Sequence, residues 1–160
     1  GKLRITMRRP LLSALLTTHN LSQAHRLADT ILSLFDGNLV PSPMHNLFTG
    51  SIRRSERGTF FDTGKISVQL PDADYDANSR AIVIDPSDIL VSMAPVASSE
   101  RNTFSGVVRR IELRGGMVQL EVASGELFQV EITRQSFQEL GLALDSPVHL
   151  TFKSASVRVL

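Results

Sequence analysis

Two short segments in the second half of the chain place a cation beside hydroxyl side chains. Ser99 lies two residues before Arg101, and Lys153 directly precedes Ser154. Arginine and lysine donate charge-assisted hydrogen bonds, and serine hydroxyls add neutral donors. These residue types suit an anion whose oxygens only accept hydrogen bonds. The alternative is that Arg101 and Lys153 are solvated charges that blunt exposed strand edges.

A second candidate is His19, at the end of an apolar run over residues 11–18 that follows Pro10. Such a run is typical of a strand buried on both faces of a parallel sheet. An imidazole at the carboxyl end of that strand lies where α/β folds bind ligands. Asn20 is a good N-cap for a following helix, with Gln23 three residues later. The alternative is a lone histidine with no chemical role.

Other chemistry is disfavoured by what the sequence lacks. It has no cysteine, and its four histidines lack metal-ligand spacing, so we expect no metal site. It contains no G-x-x-x-x-G-K-[ST] phosphate loop, so we expect this chain not to be an enzyme and to hold no cofactor. The net charge of +1 gives no strongly basic field. No apolar run approaches the roughly 20 residues that span a bilayer, and residues 1–10 do not resemble a signal peptide, so we expect a cytoplasmic protein.

The pattern of residues changes near Pro43. Residues 1–42 are predicted to form a strand, a helix and a hairpin whose turn contains Asp36 and Gly37. From about residue 46, short alternating runs separated by glycine and proline predict a small all-β barrel, with strands at 65–70, 81–84 and 117–122. A single helix is expected from about Arg134 to Leu140, followed by Gly141 at its C-cap.

The β region contains an internal repeat. Residues 48–54 match 104–110, and residues 84–91 align with 152–159. The repeat predicts two half-units, about 46–97 and 98–160, that pack as two linked barrels with a shared core.

Residues 17–37 resemble the end of an ABC ATPase nucleotide-binding domain. The resemblance implies that residues 1–42 are the C-terminal remnant of such a domain, and that His19 is its switch histidine. That histidine would act on ATP and magnesium only in a full-length parent, so we expect the chain to be a fragment or a truncated product. The family usually has Asp where this chain has Asn20.

Residues 98–106, 131–136, 140–142 and 152–157 resemble the molybdate-binding Mop, or TOBE, domain of molybdate and tungstate importer ATPases. The resemblance implies a mainly β fold over residues 43–160, a duplicated OB-like barrel preceded by the short α/β remnant. It also implies five oxyanion ligands: Ser99, Arg101, Thr133, Lys153 and Ser154. The family motif that supplies Ser99 and Arg101 continues into Asn102.

The first repeat copy has Asp85 and Pro86 where the second has Lys153 and Ser154. A carboxylate repels an oxyanion, and proline lacks a backbone N–H donor. We therefore expect only the second copy to bind the oxyanion. The resemblance further implies a homodimer, a transmembrane permease partner, a location at the inner face of the membrane, and a regulatory role that restrains transport.

Two alternatives remain open at this stage. A related barrel on an importer for sulfate, sugar, iron or polyamine binds no anion. An OB-type barrel that binds nucleic acid would use Arg53, Arg54, Arg109 and Arg110 on phosphates. One tyrosine and no tryptophan give few stacking platforms, so we expect no nucleic-acid partner. The sequence does not distinguish molybdate from tungstate.

Overall fold

The computed structural model describes residues 14–17, 32–35, 38–41, 46–76, 78–96 and 101–160. For residues 32–35, 38–41 and 101 the description covers the backbone only. The chain divides into two compact units, Gly1–Pro43 and Met44–Leu160.

The described strands of the first unit form one antiparallel hairpin, β1 (Leu32–Phe35) and β2 (Asn38–Pro41). The predicted hairpin is therefore confirmed. The predicted buried strand is wrong over residues 14–17, which have no regular secondary structure, and Leu15 is 95% exposed. A doubly buried strand needs neighbours on both sides, and no described strand pairs with this segment. His19 and the helix predicted from Asn20 lie outside the described residues.

The second unit is mainly β, as predicted, and consists of two successive halves. The first half contains β3 (Leu47–Thr49), β4 (Ser51–Ser55), β5 (Gly58–Asp62), β6 (Ser67–Gln69), β7 (Ala81–Ile84) and β8 (Leu90–Ser92). The second half contains β9 (Arg101–Arg114), β10 (Met117–Ser124), β11 (Glu126–Thr133), α1 (Arg134–Glu139), β12 (Pro147–Lys153) and β13 (Val157–Val159).

The helix predicted in the β region, from about Arg134 to Leu140, is confirmed at α1, and its ends follow from local chemistry. The Thr133 hydroxyl accepts a hydrogen bond from the backbone N–H of Ser136 at 3.0 Å, which satisfies one of the free donors of the first turn. Gly141 has a φ of +59°, the left-handed conformation in which a helix commonly ends and which favours glycine.

Alternating hydrophobicity explains the strands around the core. In β10 the side chains of Val118, Leu120 and Val122 are fully buried, while Gln119 and Glu121 between them point outward. The two halves bury one common core, as the repeat predicts. The Phe48 ring of the first half meets the Phe128 ring of the second edge-on, with centroids 4.9 Å apart.

The strand pairing obeys a twofold repeat and exchanges the last strand of each half. Phe48 pairs with Ile82 in the first half as Phe104 pairs with Leu150 in the second. Strand β8 of the first half then pairs with β12 of the second, and β13 of the second pairs with β7 of the first. Neither half therefore has a complete set of its own strand partners.

Strand β9 lies between β12 and β10 and pairs with each over a different part of its length. Its first part pairs with β12 and its last part with β10, and a bulge leaves Arg109 between the paired residues Val108 and Arg110. Near the point where the two pairings meet, a Cβ on Gly106 would lie 2.8 Å from the Ala123 carbonyl oxygen and 2.8 Å from the Val122 side chain. Only glycine allows this close approach of β9 to β10.

We predict that Gly106→Ala lowers the free energy of unfolding by about 1–3 kcal/mol, the usual cost of inserting a methyl group where no space exists. Urea denaturation followed by circular dichroism measures the change. Gly116→Ala is the matched control, because a Cβ at Gly116 meets nothing within 4 Å. Equal stabilities for the two variants would show that the close approach of Gly106 to β10 does not matter for stability.

Candidate anion-binding site

Lys153 and Ser154 lie at the junction between β12 and a three-residue 3-10 turn, Ser154–Ser156. Lys153 is the last residue of the strand and is exposed, and Ser154 is half-buried. Neither side chain has a hydrogen-bond or ion-pair partner among the described residues. Their donors are therefore available to a molecule that approaches from solution.

Arg101 is brought directly opposite Lys153. Arg101 is the first residue of β9, and the register of β12 against β9 makes it the cross-strand partner of Lys153. The backbones of these two residues are therefore adjacent at one end of the β9–β12 ladder. Ser99, two residues before Arg101, lies outside the described residues. Two separate segments of the sequence prediction thus meet at one end of β9.

Thr133 lies in a different part of the same sheet. It pairs with Met117 of β10, and Met117 in turn pairs with Arg114. Arg114 is the last residue of β9, whereas Arg101 is the first. The Thr133 hydroxyl is also engaged at α1, 2.9 Å from the Ser136 hydroxyl. Within one chain the strand pairing therefore does not bring Thr133 beside Lys153.

Asn102, the last residue of the Ser-x-Arg-Asn segment, connects the two halves through its side chain. Its amide oxygen accepts from the Gln69 N–H at 2.7 Å, and its amide nitrogen donates to the Gln69 carbonyl at 3.1 Å. Asn102 is 7% exposed, and its side-chain amide bonds to the β6 backbone as a neighbouring strand would. We therefore assign it a structural role beside the site.

Sequence reasoning missed the counterpart of this contact, Asn46. The amide of Asn46 accepts from the Gln129 N–H at 2.6 Å and donates to the Gln129 carbonyl at 2.8 Å. Asn46 precedes Phe48 by two residues, as Asn102 precedes Phe104. Extending the repeat by those two residues would have revealed the pair, since the same amide recurs at the same position.

Metal and membrane signals are absent from the part of the chain that the structure describes. Its residues contain no group of three or more histidine, cysteine, aspartate or glutamate side chains that could hold a metal ion. None of its helices is long and apolar enough to cross a membrane.

Comparison with a protein-family model gives a match for the second half of the β unit. Residues 98–159 match the model of the TOBE domain, and these are the residues that carry the Lys153–Arg101 pair. Residues 98–159 are therefore similar to TOBE domains.

The wider chain is similar to transporter subunits. It is 26% identical over 163 aligned positions to the molybdate/tungstate import ATP-binding protein WtpC of Pyrococcus abyssi, and the match covers 92% of this chain and 47% of that protein. The WtpC protein of Pyrococcus horikoshii matches with the same identity and coverage. The chain thus spans about half the length of these relatives. The resemblance to molybdate and tungstate importer subunits seen in the sequence is confirmed.

A solved structure shows the same fold. The cytoplasmic molybdate-binding protein ModG, crystallised with molybdate bound, superimposes with a TM-score of 0.56 at 19% identity, over 75% of this chain and 98% of that one. The predicted OB-like Mop/TOBE barrel is confirmed, while the ATPase remnant stays a prediction.

We predict that Asn102→Ala lowers the free energy of unfolding by about 1–3 kcal/mol, because it leaves the N–H and carbonyl of Gln69 without partners. Asn46→Ala should cost a similar amount at Gln129. Asn78→Ala is the control, because Asn78 is exposed and its side chain makes no hydrogen bond to a described residue. Chemical denaturation of the three variants tests this, and a neutral Asn102→Ala would refute the structural role.

Proposed function

We propose that the second half of the chain binds molybdate or tungstate where β12 meets β9. One observation carries the proposal, the register that places Lys153 opposite Arg101. Such a pair of cations, each at the end of its strand, gains from an anion placed between them. The match of residues 98–159 to the TOBE domain and the molybdate in the ModG structure support this choice of ligand.

The chemistry of the anion fits the residue types. Molybdate and tungstate are tetrahedral dianions whose four oxygens only accept hydrogen bonds. The ammonium group of Lys153 and the guanidinium group of Arg101 supply charge-assisted donors. The hydroxyl groups of Ser99 and Ser154 supply neutral ones. The two anions are nearly isosteric, so this donor set accepts both.

Thr133 contributes to the site from a second copy of the chain. Within one chain it lies at the Arg114 end of β9, away from Lys153. A symmetric homodimer apposes the same surface of both copies, so each copy can complete the site of the other. This arrangement makes dimerisation and anion binding parts of one function.

We further propose that the module regulates an importer ATPase. The WtpC relatives are named as ATP-binding proteins for molybdate and tungstate import. In a full-length ATPase with a transmembrane permease partner, the domain would lie at the inner membrane face and restrain transport when anion is plentiful. His19 would be the switch histidine of that parent, with ATP and magnesium as its cofactors, and the module itself would hold no cofactor and perform no catalysis.

Two other functions are less well supported. A TOBE module for another substrate, with no anion site, does not account for the opposed cations Lys153 and Arg101. A nucleic-acid barrel needs exposed aromatic platforms. Four phenylalanines of the unit are fully or almost fully buried, namely Phe48, Phe61, Phe128 and Phe152. The Phe104 ring stacks inward on Phe152, with centroids 5.8 Å apart.

We predict that Lys153→Ala abolishes the rise in melting temperature that sodium tungstate causes in the unmodified chain, because it removes one of the two opposed cations. Differential scanning fluorimetry and titration calorimetry measure the loss. Arg158→Ala is the matched control, since Arg158 is an exposed cation on the adjoining strand β13 without an ion-pair partner among the described residues. Undiminished stabilisation of Lys153→Ala would disprove the site.

Mixing two defective chains tests the shared site. Neither Lys153→Ala nor Thr133→Ala should bind tungstate well alone. After random exchange of subunits, half of the dimers are mixed, and each mixed dimer has one intact site of two, so about a quarter of all sites should recover. No recovery in calorimetry, with exchange verified by mass spectrometry, would show that Thr133 does not act across a dimer.

A further inference from the structure

The two halves of the barrel are joined by a pair of equivalent crossovers. The first crossover, residues 85–89, leads from β7 into β8, which pairs with the second half. The second crossover, residues 153–157, leads from β12 into β13, which pairs with the first half. Before the crossovers, Val83 and Thr151 are equivalent in the repeat, and Val83 pairs with Arg158 while Thr151 pairs with Leu90. The two crossovers therefore occupy equivalent positions.

The backbone is nearly identical in the two crossovers. Asp85 has φ −69° and ψ 134°, and Lys153, at the equivalent position, has φ −75° and ψ 147°. Each of these residues is followed by a three-residue 3-10 turn and then by an extended residue. The same local structure is therefore built on side chains of opposite charge.

The first crossover contains its own anion. One carboxylate oxygen of Asp85 accepts from the backbone N–H of Ser87 at 2.9 Å and from the Ser87 hydroxyl at 2.7 Å. Both hydrogen bonds are charge-assisted and so stronger than neutral ones. The turn thus has an internal acceptor that fixes its start.

The second crossover has no such acceptor. Lys153 makes no capping hydrogen bond with its side chain, and Ala155 stands where the first crossover has Ser87. Ser154 replaces Pro86, which restores a backbone N–H and adds a hydroxyl. The acceptor has been replaced by donors and by positive charge.

We infer that Asp85 is a built-in counterpart of the oxyanion: its carboxylate supplies to the first crossover the negative acceptor that the second takes from solution. This inference rests on the proposed oxyanion binding at Lys153. It implies that the conformation of the first crossover is always stabilised by Asp85, whereas the conformation of the second is stabilised only when an anion is bound. Anion binding then acts at the junction that holds β13 against the first half.

Hydrogen–deuterium exchange with mass spectrometry tests the first crossover without any ligand. Asp85→Ala should speed amide exchange at Ser87 by about five- to tenfold, the effect of losing one hydrogen bond from a locally opening segment. Asp88→Ala is the control, because Asp88 is an exposed acid of the same turn whose side chain makes no hydrogen bond to a described residue. Unchanged exchange at Ser87 in Asp85→Ala overturns the inference.

A double substitution in the second crossover tests whether the two crossovers are equivalent. Lys153→Asp combined with Ala155→Ser gives the second crossover the Asp-x-Ser arrangement of the first. In this double variant, amide hydrogen exchange at position 155 should be slow without tungstate, and adding tungstate should not change its rate. In the unmodified chain, sodium tungstate should slow amide exchange at position 155. A double variant that exchanges as fast as the ligand-free parent overturns the inference.

The two kinds of failure are distinguishable. If sodium tungstate slows amide exchange in neither crossover of the unmodified chain, the proposed oxyanion function is wrong. The inference about Asp85 is then wrong as well, because it rests on that function. If tungstate protects the second crossover but Asp85→Ala leaves Ser87 unaffected, the function stands and only the role of Asp85 is overturned.

Discussion

Each half of the β unit completes its sheet with a strand that belongs to the other half, and the rest of the structure depends on this exchange. Buried backbone N–H and carbonyl groups along a strand edge are rarely left unpaired. Strand β7 therefore needs β13 as a partner, and β12 needs β8. The exchange also brings the phenylalanines of the two halves into one core, where Phe48 meets Phe128. A half-unit on its own would expose both its core face and a strand edge.

The exchange also determines where the charged residues act. Each exchanged strand begins immediately after a short turn, so the residues at those turns, Asp85 and Lys153, lie where the halves are connected. Asn46 and Asn102 strengthen the same connection with paired hydrogen bonds to Gln129 and Gln69. An anion bound beside Lys153 would therefore affect the coupling of the two halves as well as the local charge.

Much of the fold was predictable, because the relevant signals are local. Alternation in β10, the Gly141 boundary of α1, and the repeat around Phe48 and Phe104 each depend on a few adjacent residues. The strand predicted over residues 11–18 was not found at residues 14–17, since a doubly buried strand depends on neighbours that a hydrophobic run does not specify. For the site, the family resemblance pointed to both Lys153 and Arg101. The register of β12 against β9 then made them cross-strand partners.

Residue type and spacing were enough to predict the mainly β class, the duplication, the helix α1 and the difference in charge between Asp85 and Lys153. Tertiary structure alone decided which strands pair across the halves, that Asn102 bonds to the backbone of β6, and that Thr133 lies at the far end of β9 from Lys153. Pairing between strands far apart in the sequence depends on the close approach of β9 to β10 at Gly106 and on a shared core. No short stretch of sequence records either of these.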